Sequence, residues 1–98
     1  MSSKTPEGKV KESIKKILDD PRIWYFMPVQ MGYGTKGIPD FIGCYEGEAF
    51  AIEAKAGKGK VTLLQQMMLD KMYQAGFQTF IINETNLKEL ETWITGTL

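Results

Sequence analysis

The chain has no histidine and a single cysteine among its 98 residues. The first absence excludes zinc sites built on imidazole and Ser-His triads. The second excludes an internal disulfide, and Cys44, set in an apolar strand, reads as a small core residue. There is no excess of either charge, because Lys+Arg and Asp+Glu both total 12. A surface that holds nucleic acid must then be a local patch, not a global field. No apolar run is long enough to span a bilayer, and the polar N-terminus does not read as a signal peptide, so cytoplasm is the expected compartment. The length fits a single domain over 1–98, with one modest core. The 43% hydrophobic and 24% charged fractions place it among ordinary globular proteins.

What is present is an ordered αβββαβα pattern, an α/β fold. Thr5-Pro6-Glu7 opens a first helix with a cap, a first-position proline and an acid at the positive end. Val10, Ile14, Ile17 and Leu18 form its apolar stripe. Ile23 to Gln30 reads as a strand whose Trp24-Tyr25-Phe26 segment suits core or interface, with core favoured. Met31 to Gly37 is a glycine-rich loop. Thr62 caps a second helix running to about Ala75, with Leu64, Met67, Met68 and Met72 near one face as expected core filler. Gly76 ends it. Phe77 to Asn83 reads as a strand able to lie parallel to a neighbour. Thr85 is the expected cap of a last helix that turns Leu87, Leu90, Trp93 and Ile94 inward.

Two glycine patterns lead nowhere. Gly32-Tyr33-Gly34-Thr35-Lys36-Gly37 has the spacing of a dinucleotide loop, but such a loop must open a helix. Ile38-Pro39 follows instead, and a residue before proline avoids helical geometry. Ala54 to Thr62 lacks the first glycine and the final Ser or Thr of a phosphate-binding loop.

The informative segment is the hairpin between them. Ile38 to Tyr45 and Glu48 to Lys55 read as strands, closed by Glu46-Gly47 as a two-residue turn. Counting outward from that turn, Asp40 opposes Glu53, with Cβ atoms about 4.5–5.5 Å apart. Lys55 projects from the same face. Two facing carboxylates repel unless a cation sits between them, and hard oxygen ligands suit Mg²⁺ or Mn²⁺.

Gly37-Ile38-Pro39-Asp40, Glu53-Ala54-Lys55, Thr62-Leu63-Leu64-Gln65 and Gly76, in that order, resemble the PD-(D/E)XK nucleases. Within them the pattern is similar to the virus-type replication-repair nuclease (VRR-Nuc) domain. The resemblance covers the chain from Glu7 to at least Asn83. It implies a restriction-endonuclease-like αβββαβ core, a mixed sheet flanked by helices. It implies a Mg²⁺- or Mn²⁺-dependent endonuclease acting on branched DNA, such as junctions or flaps, in a phage or its bacterial host. Asp40 and Glu53 would ligate the metal with the main-chain carbonyl of Ala54. Lys55 would orient or activate water, and Gln65 would complete the site. The superfamily also carries a glutamate in the first helix. Glu7 and Glu12 are the candidates, and Glu7 is chosen because it falls on the stripe with Val10 and Ile14 whereas Glu12 points nearly opposite. Lys36, Lys58 and Lys60, on loops flanking the site, would contact DNA phosphates. Small stand-alone viral members can act as dimers, so a homodimer is expected. The alternatives are a non-catalytic DNA-binding module and a regulatory α/β domain with the acids as surface charge.

Overall fold

A computed structural model describes residues 5–29 and 35–96. Most of the glycine-rich loop (residues 31–34), and Gln30 at the expected end of the first strand, lie outside them. The elements are α1 (Pro6–Leu18), β1 (Ile23–Phe26), β2 (Phe41–Tyr45), β3 (Glu48–Ala54), α2 (Leu63–Gln74), β4 (Gln78–Ile82) and α3 (Leu87–Thr95). They form one mixed sheet ordered β1-β2-β3-β4. β1 and β3 run antiparallel to β2, and β4 lies parallel to β3. The fold is thus α/β with a mixed sheet flanked by helices.

Local chemistry accounts for the boundaries. Thr5 Oγ1 accepts from the Gly8 N–H at 3.0 Å and starts α1, with Pro6 at its first position. Glu46 and Gly47 both have positive φ, 49° and 85°. That is a type I′ turn, whose twist matches the flanking strands. It fixes the β2–β3 register at Tyr45 opposite Glu48. At the end of α2 the Phe77 N–H reaches the Met72 carbonyl and the Gly76 N–H reaches that of Tyr73. This is a Schellman closure with Gly76 in positive φ. Asn86, not Thr85, occupies the N-cap of α3, and it makes no side-chain cap. Thr85 instead bonds Asn83 Oδ1 through both its N–H and its hydroxyl, within a turn that Asn86 also braces.

One sheet face carries the core. Phe41, Phe50, Ile52, Ala54 and Ile82 pack against Val10, Ile14 and Leu18 of α1 and Leu90 and Ile94 of α3. Trp93 meets Tyr45, Phe50 and Phe80 with ring centroids 5.3, 5.8 and 5.4 Å away. Gly43 leaves room for this packing. A Cβ there would fall 2.7 Å from the Phe50 ring and 2.3 Å from the Trp24 carbonyl.

The opposite face is only partly covered. α2 packs along β4 and buries Leu69 alone. Three expectations are corrected as a result. Met67 is exposed, and Met68 and Met72 are half-buried, so the methionines are not core filler. Cys44 is exposed, so it is not a core residue. Trp24 and Phe26 are exposed while Tyr25 turns toward the core, so the aromatic segment alternates as an edge strand does. No helix among the described residues is long and apolar enough to cross a membrane.

Candidate active site

Pro39 has no N–H to give, and the β2–β3 ladder ends at Phe41 opposite Ile52. Asp40, one residue beyond, replaces the missing rung with its side chain. Its Oδ2 accepts the Ala54 N–H at 2.8 Å. On β3, Glu53 alternates with the core residues Ile52 and Ala54 and so faces the other side of the sheet, in a cavity shared with the start of α2. At 3% exposure it is the buried charged residue among those described. Burial, then the charge of Asp40, lifts its carboxyl to about 7, against the pull of Lys55. Lys55 Nζ stands 3.7 Å from Glu53 Oε2, and its main-chain N–H continues the parallel ladder to the Ile82 carbonyl at 2.9 Å.

Helices complete the enclosure. Glu7, Asp40, Glu53, Lys55 and Gln65 line one cavity of about 230 Å³, together with Gly37, Ile38, Thr62 and Leu64. Glu7 stands within its electrostatic reach, since its charge also raises the Glu53 carboxyl. Glu12 pairs with Lys15 at 3.0 Å and lines a different hollow. Gln65 does two things. Its Oε1 accepts the Thr62 N–H at 2.9 Å while its own N–H bonds Thr62 Oγ1 at 3.2 Å. This capping box holds the first turn of α2 at the cavity wall, and leaves the Gln65 amide NH₂ as the group that can serve the cavity. Gly37 brings the wall inward. Its φ is +79°, and a Cβ there would lie 2.5 Å from the Leu64 carbonyl oxygen.

The three lysines expected at DNA are dispersed. All are exposed. Lys60 lines a hollow shared with Glu7 and Lys55. Lys36 lies against Leu64, Met67 and Lys71 on the outer side of α2. Lys58 lines neither hollow.

Two residues were missed by sequence reasoning. Lys11 Nζ is 3.4 Å from Asp40 Oδ1 and 3.7 Å from Glu7 Oε2. Its i,i+4 spacing from Glu7 was a legible signal, but its approach to Asp40 depends on tertiary packing. Glu84 takes the Gly57 N–H with both carboxylate oxygens, at 2.9 and 2.8 Å, and that bond holds its carboxyl below the usual range. It ties down the turn that carries Lys58 and Lys60.

The cavity therefore gathers three carboxylates and one ammonium group, Lys55, with the Lys11 ammonium beside Asp40. Among the described residues no three acidic, histidine or cysteine side chains converge closely enough to hold a metal unaided. Asp40 and Glu53 offer two hard oxygen donors, which suits an ion such as Mg²⁺ that keeps several waters and borrows oxygens from substrate. No family model matches the chain, and no curated protein is similar to it.

Proposed function

We propose that this protein is a Mg²⁺- or Mn²⁺-dependent endonuclease that hydrolyses DNA phosphodiester bonds, of the PD-(D/E)XK type and VRR-Nuc-like. The observation that carries the reading is the convergence on one cavity of Glu7, Asp40, Glu53, Lys55 and Gln65, which come from two helices and two arms of a hairpin. The Glu53 carboxyl, raised by burial and then by the charge of Asp40, also supports this reading, because a cation would relieve both.

When bound, a divalent ion supplies positive charge at the phosphate and makes water easier to deprotonate. Asp40 and Glu53, with the Ala54 carbonyl, would hold it. Lys55, beside Glu53, stabilises negative charge on the non-bridging phosphate oxygens as water attacks phosphorus and the P–O bond to the leaving oxygen breaks. Gln65 positions the water or the phosphate from the first turn of α2. Glu7 adds negative charge at the mouth. Glu84 steadies the turn bearing Lys58 and Lys60, whose ammonium groups meet backbone phosphates in a salt-sensitive way.

The substrate we propose is branched DNA, a junction or a flap, met by a homodimer. The exposed Trp24 and Phe26, ring centroids 5.7 Å apart on an uncovered sheet face, give a second copy an apolar surface to pack on. The engagement of both Asp40 oxygens favours one second reading, a DNA-binding module on this fold that does not cut.

Labelled junction, flap, duplex and single-stranded DNA, incubated with Mg²⁺, with Mn²⁺ and with chelator, separate the two. Metal-dependent cuts that vanish in a folded Asp40→Asn variant support the nuclease. Binding without cleavage under every condition supports the module, and neither binding nor cleavage removes both.

A further inference from the structure

Asp40 has two carboxylate oxygens, and each already has a partner. Oδ2 takes the Ala54 N–H at 2.8 Å, a bond that holds the side chain in place of a ladder rung. Oδ1 faces Lys11 Nζ at 3.4 Å. The same ammonium lies 3.7 Å from Glu7 Oε2, one helical turn back along α1. Any cation that takes Asp40 through Oδ1 must therefore share that oxygen with a lysine or replace it.

We infer that Lys11 is the resident counter-cation of the acid pair, a positioning residue that occupies Asp40 Oδ1 in the metal-free protein and is displaced by an incoming divalent ion. This rests on the metal-dependent reading above. Lys11 is suited to leave. Its side chain is 30% exposed against 15% for Asp40, and its long stem reaches solvent at modest cost. Lys55, at 15% exposure and beside the buried Glu53, is the less mobile of the two ammonium groups. A divalent ion ligated at Oδ1 would sit about 2 Å from that oxygen. It would then stand a few ångströms from an undisplaced ammonium, and that repulsion opposes binding. Lys11 consequently weakens metal affinity while keeping the empty site from carrying unrelieved negative charge.

The test is calorimetric titration of the whole chain with MnCl₂ at neutral pH, for wild type, Lys11→Met and Lys11→Arg. Removing two partly exposed ion pairs, together with the repulsion in the bound state, should tighten Mn²⁺ binding about five- to tenfold in Lys11→Met. Lys11→Arg keeps the charge and should stay within about twofold of wild type. The gain should shrink as salt is raised. Thermal melts in chelator establish that each variant is folded, and Lys11→Met should melt lower without metal but gain more from added Mn²⁺. A lysine with a purely structural role would lower the melt and leave Mn²⁺ affinity unchanged. Unchanged or weaker binding by folded Lys11→Met, with wild type binding normally, overturns the inference and leaves the nuclease reading standing. A wild type that neither binds Mn²⁺ nor is stabilised by it removes both.

Discussion

Replacing Glu53 by glutamine should make the metal-free protein more stable, and only above mildly acidic pH. The folded carboxyl titrates at about 7 against an ordinary 4.5. Between those values the folded state binds more protons than the unfolded chain, so wild-type stability falls as pH rises through the window. Above 7 the full cost of holding a buried carboxylate beside Asp40 is present. At about 1.4 kcal/mol per pH unit, the difference between 4.5 and about 7 sets a ceiling of about 3 kcal/mol. Water at the cavity mouth screens part of this, which leaves about 2 kcal/mol. Glutamine carries no charge at any pH, fills nearly the same volume and can donate a hydrogen bond to Asp40. Glu53→Gln should therefore melt about 10 °C higher than wild type at pH 8 in chelator. The gap should narrow through pH 6 and close near pH 4.5. Scanning calorimetry at four pH values reads this directly. A wild-type melting temperature that is flat or rising from pH 5 to 8, or a glutamine variant no more stable at pH 8, would refute the reasoning.

Other expectations follow from the same geometry. Lys55→Ala should abolish single-turnover cleavage while calorimetric Mn²⁺ binding persists or tightens, because an ammonium offers no ligand atom and its charge opposes the cation; unchanged turnover would limit Lys55 to its ion pair with Glu53. Gly43→Ala should destabilise the fold by about 2–3 kcal/mol in denaturant titration, since its Cβ meets main chain and the Phe50 ring at once; Gly47→Ala meets no atom within 4 Å and isolates the cost of its positive φ. Trp24→Ser with Phe26→Ser should shift light-scattering mass from dimer to monomer at micromolar protein, and a monomer in wild type already would remove the dimer.

How much of this was legible depended on whether the cause was local. Thr5, Thr62 and Gly76 act within one turn of helix, and Glu46-Gly47 sets its register through its own backbone angles, so all were readable from spacing. Asp40 and Glu53 were brought together by counting from that turn, although the ladder stops one step short of them, at Phe41 opposite Ile52. The uncovered half of the sheet was not legible. Strands carrying Trp24 and Phe26 (β1) or Cys44 (β2) look the same whether a helix covers them or not, and α2 packs along β4 instead. Nor was Lys11, whose partner lies on another element. Thr85 resembled a cap because Asn86 makes no cap bond that sequence would flag.

Gly37 bears on how such a chain can diverge. A Cβ at Gly37 would fall 2.5 Å from the main-chain carbonyl oxygen of Leu64, so at this point the segment before Asp40 meets α2 backbone against backbone. The Leu64 side chain is 51% exposed. Substitutions along this surface of α2 can accumulate without moving the acids, while Gly37 itself has almost no permitted replacement.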